Sequence, residues 1–357
     1  MPIDIHRYTV GDMIRAFLFS VMLASLVVGC TDDSARAEQA HGVNAIRSIA
    51  VHRLKENPLI TVESSPTLGA NINGPSVIRV PPWIENPLGK YYMYFAHHHG
   101  RYIRLAHADA LQGPWKIYEP GTLHLDEAEQ FKQHIASPDV HVDEQRKEIR
   151  MYFHGPTITR KGQYTGVAVS KDGLKFHASD EILGKFYFRV FQWKGDHFAI
   201  AKNWNSGWGE LYRSKDGLSD FESRGNFVHM MRHCAVLIRG NQLIVFYSRK
   251  GDAPERIVAA TVDLTGDWTD WKESKPIDVI EPEKAYEGVS FPNKASQYGF
   301  AINVRQLRDP YIFEEDGRTF LFYTVAGEMG IAMAEIDIIM NETAAQRTPA
   351  DAEQPRR

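Results

Sequence analysis

A hairpin plan that recurs five times constrains this chain more than any other feature of its sequence. In each copy a short apolar strand, a turn and a second strand rich in aromatic or aliphatic residues follow one another. The second strands end near Phe95, Phe153, Ile200, Tyr247 and Tyr323, at intervals of 58, 47, 47 and 76 residues. Four strands of five or six residues with their turns need roughly 40–50 residues, the length of a propeller blade. The spacing therefore predicts an all-β chain folded as a five-bladed β-propeller.

Three further features refine this prediction. The sequence Ser-Lys-Asp-Gly-Leu occurs at residues 170–174 and again at 214–218, which is the clearest literal repeat. The long last interval predicts an insertion at residues 281–306, and long connections inside a compact domain are usually functional. The fifth copy lacks an outer strand, so we expect residues 50–54 or 59–62 to supply it and close the ring.

The N-terminus has the pattern of an export signal. A positively charged start precedes an apolar segment at residues 16–28, which is too short to span a membrane, and Gly29-Cys30 follows. This pattern resembles a bacterial lipoprotein signal with lipidated Cys30, so we expect an exported periplasmic or cell-surface lipoprotein. An ordinary secretory signal cleaved elsewhere stays open as the alternative. The expected organisation is a signal segment at 1–30, a tether at 31–45, the propeller at 46–338 and a disordered tail at 339–357.

Composition narrows the classes of partner. The net charge of −4 gives no basic field for nucleic acid, so none is expected to bind. Only Cys30 and Cys234 are present, which excludes a disulfide scaffold or a zinc–thiolate site. We predict no cofactor and no catalytic metal, and leave open a structural ion at the propeller axis. We expect a monomer that contacts a membrane only through its lipid, and Cys234 is expected to be buried in a strand.

The 7 Trp, 15 Tyr and 18 Phe favour β-structure and carbohydrate binding. In a propeller the innermost strands begin around one central funnel, so residues distant in sequence meet there. The positions expected to converge are Asn73, Ser137 and Asp139, Phe188 and Arg189, Arg232 and His233, and Arg308 and Asp309. Of these, Asn73, Arg189 and Arg308 are candidates for substrate binding.

Four short motifs within residues 70–337 resemble those of the five-bladed propeller glycoside hydrolases of family 43 and its relatives, families 32, 68, 117 and 130. They are Ala-Ser-Pro-Asp-Val at 136–140, Tyr-Glu-Gly at 286–288, Arg-Asp-Pro at 308–310 and Gly-Pro-Trp at 113–115. The resemblance implies a poly- or oligosaccharide substrate. It also implies that Glu287 is the general acid and that Asp309 is a base or stabilising carboxylate.

The chain departs from that family in two respects. The first-blade Asp of the family aligns with Asn73-Gly-Pro, which has no carboxylate, and the Glu-Gly motif precedes the Arg-Asp-Pro motif, the reverse of the usual order. Glycoside hydrolysis normally needs two carboxyl groups, one protonated and one ionised. We therefore expect Asp139 or Glu328 to serve as the second carboxylate if the chain is a hydrolase.

Histidines near strand ends support a second hypothesis. An imidazole can accept or deliver a proton near neutral pH, as a lyase acting on uronate sugars requires. His134 and His233 are the better candidates for that role, with Arg308, Arg232 or Arg189 to neutralise the sugar carboxylate.

Substrate-binding positions are also predicted beside the funnel. They are His98 in the His97–His99 run and, as a stacking surface for sugar, Trp204 and Trp208. The missing first-blade carboxylate keeps a third hypothesis open, a surface lipoprotein that captures glycans without catalysis.

Overall fold

A computed structural model describes residues 45–204 and 206–341 of the chain. The predicted signal segment, the lipidated Cys30, almost all of the tether and the tail beyond residue 341 lie outside this part. The described residues form twenty-two strands in five antiparallel sheets, which confirms the five-bladed β-propeller. Within these residues no helix has the length and hydropathy needed to cross a membrane.

Each sheet is one blade, and except for the outer strands of blade five its strands follow one another in the chain from the innermost strand outward. Two short N-terminal strands come first: β1 (Ile46–Arg53) and β2 (Ile60–Thr61). Blade one contains β3 (Asn73–Arg79), β4 (Tyr91–Ala96), β5 (Tyr102–Ala108) and β6 (Lys116–His124). Blade two contains β7 (Ala136–Asp143), β8 (Glu148–Pro156), β9 (Gln163–Ser170) and two outer pieces, β10 (His177–Ala178) and β11 (Gly184–Lys185).

The remaining three blades follow the same plan. Blade three contains β12 (Arg189–Trp193), β13 (Asp196–Lys202), β14 (Trp208–Ser214) and β15 (Glu222–His229). Blade four contains β16 (Met231–Arg239), β17 (Gln242–Arg249), β18 (Ile257–Asp263) and β19 (Ile277–Ile280). Blade five contains β20 (Arg308–Glu315), β21 (Arg318–Val325) and β22 (Gly330–Met340). The short 3₁₀ helices of the described residues are Val62–Ser64, Pro66–Leu68, Leu125–Glu127, Trp268–Asp270 and Ala285–Glu287.

Blade five is completed by the N-terminal strands, as predicted. β1 pairs antiparallel with β22 over its whole length, and β2 pairs with the beginning of β22. Ile46 of β1 and Ile336 of β22 are buried, so closure removes apolar surface from water as well as pairing an open sheet edge. β22 runs to Met340, so the predicted propeller end at 338 is two residues too early.

The tight hairpins also match their sequences. Lys194 and Gly195 join β12 to β13 with φ of 50° and 87°, and Asp316 and Gly317 join β20 to β21 with φ of 52° and 76°. Positive φ at both loop residues is the type I′ turn, whose twist fits the flanking strands. The insertion lies at residues 281–306 as predicted, between β19 and β20.

Three innermost strands begin with the same irregularity, a residue of positive φ followed by proline. Gly74, Ser137 and Asp309 have φ of 61°, 46° and 47°, and the strand register shifts at each. Such β-bulges re-aim side chains at barrel rims and active sites. A Cβ added to Gly74 would lie 2.9 Å from the Cα of Ser137, so the close approach of blades one and two requires glycine there.

Candidate active site

The beginnings of the innermost strands surround a small cavity on the propeller axis, as predicted. All five blades contribute polar side chains to its lining: Asn73 and His98; His134 and His154; Tyr187 and Lys202; Arg232 and His233; Asp309 and Glu328. The free volume of the cavity is about 40 Å³, which is room for only a few water molecules. The cavity is therefore a crowded cluster of ionisable groups rather than an open funnel.

Asp309 lies at the bulge that begins β20 and is almost completely buried. Its carboxylate accepts hydrogen bonds from the Tyr187 hydroxyl at 2.9 Å and the Thr324 hydroxyl at 3.2 Å. Nδ1 of His233 lies 3.1 Å from the same carboxylate. Burial raises the pKa of Asp309 above its usual range, while Tyr187 and nearby guanidinium groups oppose that shift.

Glu328 lies between β21 and β22 and is equally buried. It accepts hydrogen bonds from Nδ2 of Asn73 at 2.9 Å and from Nη1 of Arg308 at 3.0 Å. Burial raises the pKa of Glu328 to about 7, and the charge of Asp309 adds to this rise. The structure thus brings Glu328 and Asp309 together in one cavity, as the second-carboxylate hypothesis requires.

A network of buried ion pairs lies behind the two carboxyl groups. Glu255, completely buried behind the cavity, pairs with Nε of Arg232 at 3.3 Å and with Nε of Arg308 at 3.0 Å. The two guanidinium groups therefore face three carboxyl groups, those of Glu255, Glu328 and Asp309. Lys202 adds a third basic side chain to this region, with its pKa lowered by burial. Arg308 donates to Glu328 and to the carbonyl oxygen of Gly299 but does not itself line the cavity, so it positions Glu328 instead of meeting substrate.

The other histidines of the cavity are held as neutral groups. Burial lowers the pKa of His98 to about 3, and its Nδ1 lies 3.8 Å from Glu328. Burial also lowers the pKa of His134, whose Nε2 lies 3.3 Å from the side-chain oxygen of Gln163. His154 is buried with its pKa lowered in the same way, and its Nδ1 has no hydrogen-bond partner among the described residues. A neutral imidazole has one donor and one acceptor nitrogen, so these rings are suited to hydrogen bonds with hydroxyl groups.

Sequence reasoning missed several residues that line the cavity, of which Tyr187 and Lys202 carry its chemistry. Tyr187, with φ of 69°, precedes β12, and its ring packs at a tilt against that of His233 with centroids 4.8 Å apart. Lys202 ends the apolar strand β13 and is buried, and this burial lowers its pKa well below the usual value. The sequence feature that could have indicated Lys202 is a single charged residue at the end of the otherwise apolar run 198–202. Tyr187 carried no signal beyond its place before the predicted convergence point.

Glu287, the predicted general acid, lies outside the cavity. It is completely buried, and its carboxylate accepts a hydrogen bond from Nε of Arg53 at 2.7 Å and from the Tyr323 hydroxyl at 3.0 Å. Its other oxygen accepts from the backbone N–H groups of Glu283 and Lys284. All four donors are supplied by blade five and the insertion, so Glu287 fastens the insertion to the closing strand β1.

Asp139 and Arg189 likewise serve the contacts between blades. Asp139 accepts from the backbone N–H of Val190 at 2.8 Å and from His141 at 2.9 Å. Burial alone would raise the pKa of Asp139, but His141 and Arg189 lower it below its usual value. Arg189 is buried and donates to the carbonyl oxygens of Cys234 and Pro138. The structure therefore places both residues behind the cavity, where they tie blades two, three and four together.

The two tryptophans proposed for sugar stacking lie in different environments. Trp204 lies at the mouth of the cavity, stacked on Tyr298 of the insertion with centroids 4.5 Å apart and 48% of its surface exposed. Trp208 packs on His229 instead and does not line the cavity. Cys234 is buried in β16 as predicted. In the part of the chain that the structure describes, no three His, Cys, Asp or Glu side chains are grouped to hold a metal ion.

Comparison of the sequence with known proteins gives one clear relative. The "Uncharacterized protein R118" of Acanthamoeba polyphaga mimivirus is 35% identical over 302 residues, which cover 74% of this chain and 83% of the viral protein. The chain belongs to the same protein family. No established family model matches its sequence.

Comparison of the fold leads to propeller glycosidases. One match is a structure from the GH130 family, a family of mannoside phosphorylases that contains glycoside hydrolases targeting β-1,2-mannosidic linkages in Candida mannan. Its TM-score is 0.56 and its sequence identity is 11%, and the match covers 83% of this chain and 96% of the other. The GH43_1 enzyme of Xanthomonas citri complexed with xylose has a TM-score of 0.55 and 15% identity over 80% and 92%. An α-L-arabinofuranosidase of Lactobacillus brevis has a TM-score of 0.54 and 12% identity over 78% and 92%. The chain therefore shares the five-bladed fold of these glycosidases.

Proposed function

We propose that this protein cleaves glycosidic bonds at the axial cavity, with Glu328 as the proton donor and Asp309 as its ionised partner. One observation supports this above all: two buried carboxyl groups face the same cavity, and burial raises the pKa of both. A general acid must hold its proton near the working pH, and the pKa of about 7 for Glu328 satisfies that condition.

The pKa of about 7 supports Glu328 as the member of the pair that carries the proton needed by the leaving oxygen. Asp309 accepts hydrogen bonds from the Tyr187 and Thr324 hydroxyls and lies beside the ring of His233, and these contacts favour its ionised form. Glu328 has donors of its own in Asn73 and Arg308, so the proposed division of roles rests on the raised pKa of Glu328.

Substrate entry requires movement at the mouth. The free volume of about 40 Å³ does not hold a sugar ring. The carbonyl oxygen of Gly299, in the insertion, accepts hydrogen bonds from Arg232 and Arg308 and so covers the cavity. We propose that the segment from Tyr298 to Phe300 moves outward when a sugar enters, which frees the Arg232 guanidinium for sugar oxygens.

Assays with neutral and acidic oligosaccharides test the proposal by the release of new reducing ends. Glu328→Gln and Asp309→Asn should each lower kcat by about a hundredfold or more, the usual contribution of a positioned acid or base. Glu287→Gln is the matched control, a buried carboxyl outside the cavity, and should keep the activity of the folded fraction. Full activity in Glu328→Gln, or selective loss in Glu287→Gln, would refute the assignment.

A second candidate, elimination at a uronate sugar, is favoured by the contact between His233 and Asp309. Burial and the neighbouring cations Lys202 and Arg232 lower the pKa of His233, so its ring is neutral, and the Asp309 carboxylate 3.1 Å from Nδ1 would stabilise the charge that the ring gains on accepting a proton. Tyr187 packs on that ring and supplies a hydroxyl. Elimination creates an unsaturated product that absorbs near 235 nm, whereas hydrolysis creates none. Binding without any product would instead favour glycan capture.

We also propose that the protein is exported and anchored through lipidated Cys30, as a monomer. This would place the cavity where large polysaccharides are accessible. Labelling with a radioactive fatty acid in a bacterial host should mark the full chain and not a Cys30→Ala variant. Labelling of both chains or of neither contradicts the anchor, and the mass in solution tests the monomer.

A further inference from the structure

A groove leads away from the axial cavity between blades two and three. Its free volume is about 530 Å³, more than ten times that of the cavity. Gln163, Phe186 and Trp204 line both spaces, so the groove lies directly beside the cavity. The groove therefore has the room for sugar rings that the cavity lacks.

The lining of this groove carries positive charge only. Lys161 and Lys185 line it, and neither Asp nor Glu is among its lining residues, all of which belong to the described part of the chain. Tyr164 forms part of the wall, with Nζ of Lys185 and the guanidinium of Arg160 each 5.3 Å from its ring. Because the whole chain has a net charge of −4, this basic groove differs from the average character of the molecule.

Cations also surround the junction between groove and cavity. Tyr298, on which Trp204 stacks, has Nζ of Lys250 4.1 Å and Nζ of Lys202 5.1 Å from its ring. An exposed tryptophan offers an apolar face to a sugar ring, and the nearby lysines add attraction for a negative group on that ring.

We infer that the groove binds an anionic sugar residue, one that bears a carboxylate or a sulfate, next to the bond that reacts in the cavity. This inference rests on the proposed function and specifies its substrate class. The ring packs on Trp204, and its anionic group lies between Lys161 and Lys185. Inside the cavity Arg232 and Arg308 are paired with Glu255, and burial lowers the pKa of Lys202 well below its usual value, so the groove lysines are the solvent-accessible cations that can recognise a substrate charge.

Matched glycan pairs with one backbone and different charge test this inference on the full chain. Oligogalacturonate with its methyl ester, and glucuronoxylan oligosaccharides with their carboxyl-reduced form, probe a carboxylate. Carrageenan oligosaccharides with their desulfated form probe a sulfate. We expect tighter binding of the charged member in at least one pair by calorimetry, and a preference that falls as salt rises because the groove is open to solvent.

Single substitutions test whether the preference for the charged sugar depends on the groove lysines. Lys161→Gln and Lys185→Gln should each weaken binding of the charged member about two- to fivefold, the effect of one exposed ion pair. Lys175→Gln, at an exposed position of blade two that does not line the groove, is the matched control and should leave binding unchanged. Folding of each variant is checked by its thermal unfolding midpoint.

The outcomes separate this inference from the proposed function. The inference is overturned if the charged member is not preferred in any pair. It is also overturned if Lys175→Gln weakens the preference as much as Lys161→Gln and Lys185→Gln do. Both results count whether or not bonds are cleaved. A lysine-dependent preference without any cleavage by the wild-type chain supports the inference and refutes the hydrolytic function. In Glu328→Gln we expect cleavage to be lost while the preference for charge remains.

Discussion

The raised pKa of Glu328 predicts a specific pH dependence of folding stability. The carboxyl has a pKa of about 7 in the folded chain, against an ordinary value of 4.5. A raised acid pKa means that the ionised form is disfavoured by folding, so the associated stability is present below pH 4.5 and lost as pH rises through 7. At about 1.4 kcal/mol per pKa unit, ionisation of Glu328 costs the folded state roughly 3 kcal/mol.

Glu328→Gln removes this cost because the amide is neutral at every pH. The variant also places an amide N–H₂ against donors, since Asn73 and Arg308 both point hydrogens at the native carboxyl. That mismatch lowers stability by about 1–3 kcal/mol independently of pH. The prediction is therefore tested by subtracting the free energy of unfolding of the wild type from that of Glu328→Gln and following this difference as the pH changes.

Chemical denaturation of wild type and Glu328→Gln between pH 4.5 and 8.5 measures that change. Relative to the wild type, the variant should gain about 3 kcal/mol in free energy of unfolding across this range. Glu63→Gln, at an exposed position, is the control and should give a curve parallel to the wild type. Parallel curves for Glu328→Gln as well would refute both the buried, protonated carboxyl and its assignment as general acid.

Three further predictions follow from other parts of the fold. Burial lowers the pKa of His98 to about 3, so the stability that its neutral ring contributes is present above pH 6.5 and is lost as pH falls toward 3. In His98→Gln the free energy of unfolding should therefore fall less between pH 6.5 and pH 3 than in the wild type. An equal fall in both chains, measured by chemical denaturation, would contradict this. Gly74→Ala should lower the free energy of unfolding by about 1–3 kcal/mol, since φ is 61° and the new Cβ meets Ser137 at 2.9 Å; an unchanged denaturation midpoint would show that the two blades separate easily. A chain shortened to begin at Leu54 loses β1 and should unfold at lower temperature with a broader calorimetric transition, whereas an unaltered transition would show that blade five is stable without its outer strand.

The repeating pattern predicted the fold well because blade formation is a local property. Alternating apolar residues, two-residue turns such as Lys194-Gly195 and a constant spacing specify each four-stranded sheet without reference to distant parts of the chain. The closing role of β1 was also predictable, since a fifth sheet short of one strand must pair its edge with whatever strand remains. Errors were confined to a boundary, where β22 continues two residues beyond the predicted end.

Motif resemblance was a weaker guide to the site. Arg-Asp-Pro at 308–310 correctly identified Asp309 as a cavity residue, because its bulge recurs at the beginnings of other innermost strands. Tyr-Glu-Gly at 286–288 has the letters of a catalytic motif, yet Glu287 is buried against Arg53. A three-residue motif does not specify which space its side chain enters, and the insertion turns this one toward the closing strand.

The sequence by itself thus determined the five sheets, their order around the axis and the five places where innermost strands meet, since all of these depend on local pattern and chain spacing. Only the tertiary structure decided which ionisable groups share the cavity. Lys202 was not predicted, and Glu328 was predicted only as one of two alternatives for the second carboxylate. The protonation of both depends on burial and on charges such as Arg232 that are distant in sequence. Burial and charge balance are properties of the assembled propeller, so they exist only once the five blades have closed.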